Sequence, residues 1–318
     1  MTQEEKTKKK ILDFFSLEEM QKVTKMLEDV IVEPVTNPRE TLSSKNKPKL
    51  TTGTILDEIL GHGGITAGKL IEMFGEYGTG KTQICFTLAA EAGQKGTIIY
   101  IDTEYTFSPE RVEEILKARN LDVEKFWKNF VLVQPRDWMQ QMAYVQQIPS
   151  PVDLAQEGKE PISLIVMDSL LALLDISEDF EGRQNLPIRS RMIRTHLLAK
   201  MRQLALTHNC AIVFTNQIMD IPNANPFMPL WTRQTGKGGP TVRHVPDIIL
   251  YLRKSASNTR IARLMDSSEL EIGERVYIIN EKGIDDVPDE IKKKIEKRTK
   301  KETEEELKEE PAESKEGE

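Results

Sequence analysis

The sequence predicts an α/β fold with a mostly parallel central sheet and an antiparallel extension towards its C-terminal side. Three observations carry that reading. From Leu50 onward, short apolar runs alternate with segments of helical periodicity. The runs hold few charges, as expected of strands covered on both faces. The last three stand too close together for helical crossovers, which fits antiparallel pairing.

Taken in chain order, residues 1–10 are mostly charged, and Ser16-Leu17-Glu18-Glu19 reads as a capping box. Leu17, Met20, Val23, Leu27 and Val30 follow at helical spacing and predict an amphipathic helix over 16–31. Pro34, Pro38 and Pro48 mark 33–49 as an extended linker. Strands are predicted at Lys69–Phe74, Thr97–Ile101, Phe130–Val133, Ser163–Met167, Ala211–Thr215, Asp247–Arg253, Ile261–Leu264 and Val276–Asn280, the last three forming the antiparallel extension. Helices are predicted at Lys81–Gly93, Pro109–Arg119, Trp138–Gln147 and Leu186–His208. Residues 285–318 hold 14 acidic and 9 basic side chains and almost no large apolar ones. Such a segment cannot offset its ordering entropy and reads as a charged, disordered tail. The plan is thus a helix and linker over 1–49, a core over 50–284 and a tail over 285–318.

The 318 residues carry 44 Lys+Arg against 51 Asp+Glu, a net charge of −7 that lies mostly in the tail. This excludes a protein that coats DNA by general electrostatics, but it permits local basic patches. The two cysteines, Cys85 and Cys210, stand too far apart for a disulfide scaffold or a paired metal site, and both read as small core side chains. No apolar run approaches the roughly 18 residues of a membrane span, and the polar N-terminus is no signal peptide. A soluble, cytoplasmic protein is expected.

Gly75-Glu76-Tyr77-Gly78-Thr79-Gly80-Lys81-Thr82 matches the phosphate-binding loop G-x-x-x-x-G-K-[ST] in full, after a strand and before a helix. Its glycines let backbone N–H groups face a phosphate, and the helix N-terminus adds partial positive charge. Lys81 is placed for the β- and γ-phosphates and Thr82 for Mg²⁺, with Gln83 completing the nucleotide-binding stretch. Asp168, after the apolar run Ile165-Val166-Met167, supplies the second Mg²⁺-side group. Thr97–Ile101 delivers Asp102-Thr103-Glu104 to the sheet edge where open α/β sheets bind ligands, and Glu104 is the candidate that polarises an attacking water.

The blocks FGEYGTGKTQICFTLA, YIDTEYTFSPERV, LIVMDSL, IVFTNQI, GKGGPTVRHVPDIILYLRK and RIARLMDSSEL together resemble, in order over residues 50–284, the RecA/RadA family of strand-exchange recombinases, in its archaeal and eukaryotic branch. The resemblance implies a RecA-like P-loop ATPase core using ATP and Mg²⁺, two DNA-binding loops, and a role in homologous recombination and repair. It makes Glu104 the catalytic glutamate, Arg111 the arginine on the adenine face, Gln217 the γ-phosphate sensor, and His244 the residue coupling nucleotide state to the DNA loops. The first DNA loop follows Asp168 and holds Arg183, Arg189, Arg191 and Arg194. The second, Met219–Thr241, is rich in proline and glycine and holds Phe227, Trp231, Arg233 and Lys237. Cations among aromatics suit a single strand, with charges for phosphates and rings for base stacking.

Departures from the family pattern are equally specific. Only the predicted helix over 16–31 stands where the family carries a small helical DNA-binding domain. Residues 33–49 contain no Phe for the family's Phe-x-x-Ala plug, and Asp266 is followed by Ser267-Ser268-Glu269 rather than by prolines. These features point to a recombinase paralogue, a DNA-dependent ATPase that works with the main recombinase on single-stranded and also double-stranded DNA. A nucleoid-associated location and a homo-oligomer are compatible with it. The alternatives are a non-catalytic, ATP-gated module that binds the recombinase, and a full strand-exchange recombinase.

Overall fold

The structure, a computed structural model, describes residues 47–222, 224–225, 227–255 and 259–289, and for Arg183 and Leu230 the backbone alone. The helix expected over 16–31, the linker up to Asn46 and the tail beyond Asp289 lie outside the described residues.

The chain enters through β1 (Lys49–Leu50), α1 (Asp57–Gly61) and β2 (Ile65–Thr66), β1 and β2 forming an antiparallel ribbon. It then runs β3 (Leu70–Gly75), α2 (Lys81–Ala92), β4 (Thr97–Asp102), α3 (Pro109–Ala118), α4 (Val123–Lys128), β5 (Phe130–Val133), α5 (Trp138–Gln147), α6 (Pro151–Gln156) and β6 (Ile162–Asp168). After α7 (Ala172–Asp175) comes a helical stretch of α8 (Leu186–Met192), a π-wound segment Ile193–Leu198 and α9 (Ala199–His208). The second half holds β7 (Ala211–Asn216), β8 (Ile218–Asp220), α10 (Leu230–Arg233), β9 (Gln234–Gly236), α11 (Pro240–Arg243), β10 (Ile248–Lys254), β11 (Arg260–Ser267), β12 (Glu274–Asn280) and β13 (Gly283–Asp286).

The main sheet has nine strands in the order β13-β12-β11-β10-β3-β7-β6-β4-β5. From β10 to β5 every pairing is parallel, and from β10 to β13 every pairing is antiparallel. Side-chain alternation splits each central strand between two cores. Ile98, Tyr100, Leu164 and Val166 face α2 and α3, packing with Ile84, Leu88, Val112 and Ile115. Ile99, Ile101, Ile165 and Met167 face the opposite layer, packing with Val145, Ile193, Leu197 and Met201. Burial on both faces is why these strands read as unbroken apolar runs. Cys85 and Cys210 are buried free thiols, in keeping with core roles.

Three expectations need correction. The run Asp247–Arg253 is not simply part of the antiparallel extension: β10 lies parallel to β3 on one side and antiparallel to β11 on the other. The tail does not begin at Asp285, because β13 continues through Asp286 and Val287 is 2% exposed. Asp286 accepts the Ile55 N–H at 2.7 Å and Asn280 donates to Asp285 at 2.9 Å, so these two acids serve the fold. The predicted helix Leu186–His208 is interrupted by π winding over Ile193–Leu198.

Candidate active site

β3 ends between β7 and β10, where the strand order reverses, so the phosphate-loop motif emerges at the mid-sheet crevice. The loop is held from both sides. A Cβ on Gly75 would lie 2.2 Å from the Leu252 carbonyl, and one on Gly80 would lie 2.9 Å from Ile279 Cδ1. Gly78 and Gly80 have φ of 74° and 100°, conformations that favour glycine. From β12, the buried Tyr277 hydroxyl donates to the Thr79 carbonyl at 2.8 Å.

Helix α2 has Gly80 at its N-cap and no side-chain cap, whereas Ser108, Asp122, Asp137 and Ser150 cap α3, α4, α5 and α6. Its first-turn N–H groups are therefore left for an anion. Lys81 Nζ donates to the carbonyls of Gly75 and Glu76 at 2.8 and 3.0 Å rather than pointing into solvent. Burial lowers its pKa, against the pull of Asp168 and Glu104.

Asp168, at the end of β6, is 2% exposed. Its Oδ2 accepts from Thr82 Oγ1 at 2.8 Å and from the Tyr100 hydroxyl at 3.0 Å, and its Oδ1 accepts from Thr215. Burial raises its pKa, while these hydroxyls favour the carboxylate. A buried carboxylate beside Thr82, hydrogen-bonded to three neutral hydroxyls, is chemistry that fits a hard cation. Among the described residues no cluster of three or more His, Cys, Asp or Glu forms a self-sufficient metal cage. Mg²⁺ is commonly held by one or two protein groups and completed by phosphate and water.

Glu104 is carried on a short loop after β4. The fully buried Asp102 organises that loop, accepting N–H groups from Glu104, Thr106 and Phe107 at 3.3, 3.2 and 3.0 Å and the Gln134 amide at 3.0 Å. Arg111 Nε donates to Gln83 Oε1 at 2.8 Å, and its other nitrogens reach Glu114 and the Asn280 carbonyl. Lys81, Thr82, Gln83, Glu104, Arg111 and Asp168 all line one open cavity of about 470 Å³, with Tyr77 at its mouth, 95% exposed.

The profile of the Rad51 family matches residues 44–287. The chain belongs to the Rad51 family. It is also 37% identical over 253 residues to the DNA repair and recombination protein RadA of Aeropyrum pernix, covering 77% of this chain and 75% of that protein. The Rad51-family match accounts for the RecA-like sheet and for its antiparallel end.

Gln217, which the resemblance assigns to the γ-phosphate, and the residues it assigns to DNA and coupling do not line this cavity. Gln217 follows β7, exposed, and its Oε1 accepts from Lys237 Nζ at 2.9 Å. His244 is exposed and lines a separate cavity with Asp266 and Arg243. Arg189 pairs with Asp175, and Lys237 pairs with the same carboxylate at 2.9 Å. β8 and β9 form a ribbon inside the second loop. Phe227 is 94% exposed, but Trp231 is not free for stacking. Trp231 packs beside Phe74, Ile249 and Tyr251, and the Arg263 guanidinium lies 3.7 Å from its ring centroid. Arg233 is partly buried, and among the described residues its Nε finds no partner. For Arg183 only the backbone is described, in a short 3₁₀ turn.

Sequence reading missed Asp102, Tyr100, Thr215 and Tyr277. Asp102 stood in view, two residues before Glu104 on an apolar strand. The hydroxyl partners carry no spacing signal.

Proposed function

We propose that this Rad51-family chain is an Mg²⁺-dependent ATPase, stimulated by single-stranded DNA, that assists homologous recombination as a paralogue of the main recombinase. One observation carries the reading: Lys81, Thr82, Asp168 and Glu104, drawn from two strand ends and the start of one helix, line a single cavity. A nucleotide switch has less use for Glu104 there.

The chain's own groups divide the work. Uncapped N–H groups at the start of α2 bind the phosphates, and the Lys81 ammonium leaves the two loop carbonyls to pair with phosphate oxygens. Thr82 Oγ1 and Asp168 Oδ2 are the groups that would hold Mg²⁺. Bound there, the ion neutralises charge on the β- and γ-phosphate oxygens. Glu104 accepts a hydrogen bond from the attacking water, its loop fixed by Asp102. Arg111, tied to Gln83 and Asn280, presents a flat cation for the base. Loop cations, Arg183, Arg189, Arg233 and Lys237, take DNA phosphates, while Gln217 senses the γ-phosphate and His244 couples nucleotide state to the loops.

Paralogue status is supported by Asp266-Ser267-Ser268-Glu269, where the family pattern places prolines, and by the absence of Phe from 33–49. The test measures ATP turnover with and without single-stranded DNA for the wild type and Glu104→Gln. Turnover should fall at least ~100-fold in the variant while ATP binding persists. Negligible turnover in the wild type favours the switch reading, and efficient strand exchange by the chain alone favours a full recombinase.

A further inference from the structure

We propose that Asp175 is an internal counter-anion that occupies the DNA-binding cations of both loops and so sets how tightly the chain holds single-stranded DNA. This rests on the reading of the loops given above. Asp175 closes α7, at the root of the first loop. One carboxylate oxygen accepts from Arg189 Nη2 on α8, and the other accepts from Lys237 Nζ at 2.9 Å at the end of the second loop. The two loops, which follow different strands, therefore share a single anion. Lys237 extends the network to Gln217, through both its side chain and its backbone N–H, the latter at 2.8 Å.

The setting suits competition. Asp175, Arg189, Lys237, Leu186, Met219 and Gly238 line one cavity of about 450 Å³. The side chains of Asp175, Arg189 and Lys237 are 20%, 21% and 35% exposed, so the pairs are within reach of a ligand. Partly exposed ion pairs are weak, so the carboxylate and a DNA phosphate compete for the two cations, and the carboxylate withholds them from part of the bound complexes. As long as the carboxylate holds them, two cations contribute nothing to DNA binding. Each must be freed before it neutralises a phosphate.

The experiment uses the full chain with Mg²⁺ and a non-hydrolysable ATP analogue. Binding of fluorescein-labelled oligothymidylate is followed by anisotropy across a salt series for wild type, Asp175→Asn, and Asp175→Asn combined with Arg189→Ala and Lys237→Ala. Asp175→Asn should bind roughly tenfold tighter near ~100 mM salt, and its salt slope should steepen by about 1.4, or about 0.7 for each freed cation. The triple variant should lose the whole gain. If Asp175→Asn binds no tighter while removal of Arg189 and Lys237 weakens binding, the counter-anion role is overturned and the loop reading stands. If none of the variants changes affinity or slope, the loop reading fails and takes the proposal with it. Should Asp175→Asn melt well below wild type, Asp175→Ser is measured in its place. Weaker binding by both variants, as from a merely structural contact, also overturns the proposal.

Discussion

Replacing Tyr277 by Phe removes one oxygen and leaves the ring. That ring is fully buried on β12, and its hydroxyl donates to the Thr79 carbonyl at 2.8 Å, across 198 positions of sequence. Burial also holds the phenol pKa well above its ordinary value, so the group is a neutral donor at any working pH. The lost hydrogen bond is worth about 1 kcal/mol net, and the stranded, buried Thr79 carbonyl brings the cost to about 1–2 kcal/mol. For a domain of this size each kcal/mol lowers Tm by roughly 2–4 °C, so the midpoint should fall by about 2–8 °C. The phosphate loop should loosen as well, because Tyr277 also lies 3.4 Å from the position of a Cβ on Gly80. ATP affinity is expected to fall severalfold, measured by titration calorimetry beside thermal unfolding of the nucleotide-free protein. A midpoint within about 1 °C of wild type, with ATP affinity unchanged, would refute the claim that the antiparallel strands brace the loop.

Lys81→Ala should cut ATP turnover at least ~100-fold by removing charge stabilisation at the transferring phosphoryl group. Its apo midpoint should move only slightly, since the lost donors serve loop carbonyls near solvent, and wild-type turnover in this variant would sink the nucleotide assignment. Glu72 on β3 is buried with Asn216 donating to it at 2.9 Å, and burial pushes its carboxyl up from 4.5 to about 7. The folded state therefore holds a proton that the unfolded chain has released between those values. Its contribution, at most about 3 kcal/mol, is fully present below pH ~4.5 and is lost as pH rises through ~7. Urea unfolding at about pH 5 and about pH 8 should show this loss in the wild type and a flatter profile in Glu72→Gln. Parallel profiles for the two proteins would exclude Glu72 as the source.

What the sequence determined by itself was local or periodic. The phosphate-loop motif is eight consecutive residues whose types suit one kind of ligand, and its strand-before, helix-after setting is visible within thirty positions. Central strands announce themselves because burial on both faces excludes charge along their whole length. Glu104 and Asp168 were nominated for the same reason, each a carboxylate at or just past the end of such a run. Tertiary structure alone decided the rest. Asp285 and Asp286 have the composition of the acidic tail, and only the antiparallel pairing of β13 with β12 makes them part of the sheet. Trp231 reads as a base-stacking ring until Arg263 and the Phe74 cluster are seen to cover it. Arg189 and Lys237 read as free cations until the fold brings Asp175 between them. The physical reason is common to all of these. Periodicity reports which face of an element is buried, but a hydrogen bond or ion pair between distant residues depends on strand order and loop path, which a one-dimensional pattern of apolar and polar residues does not encode.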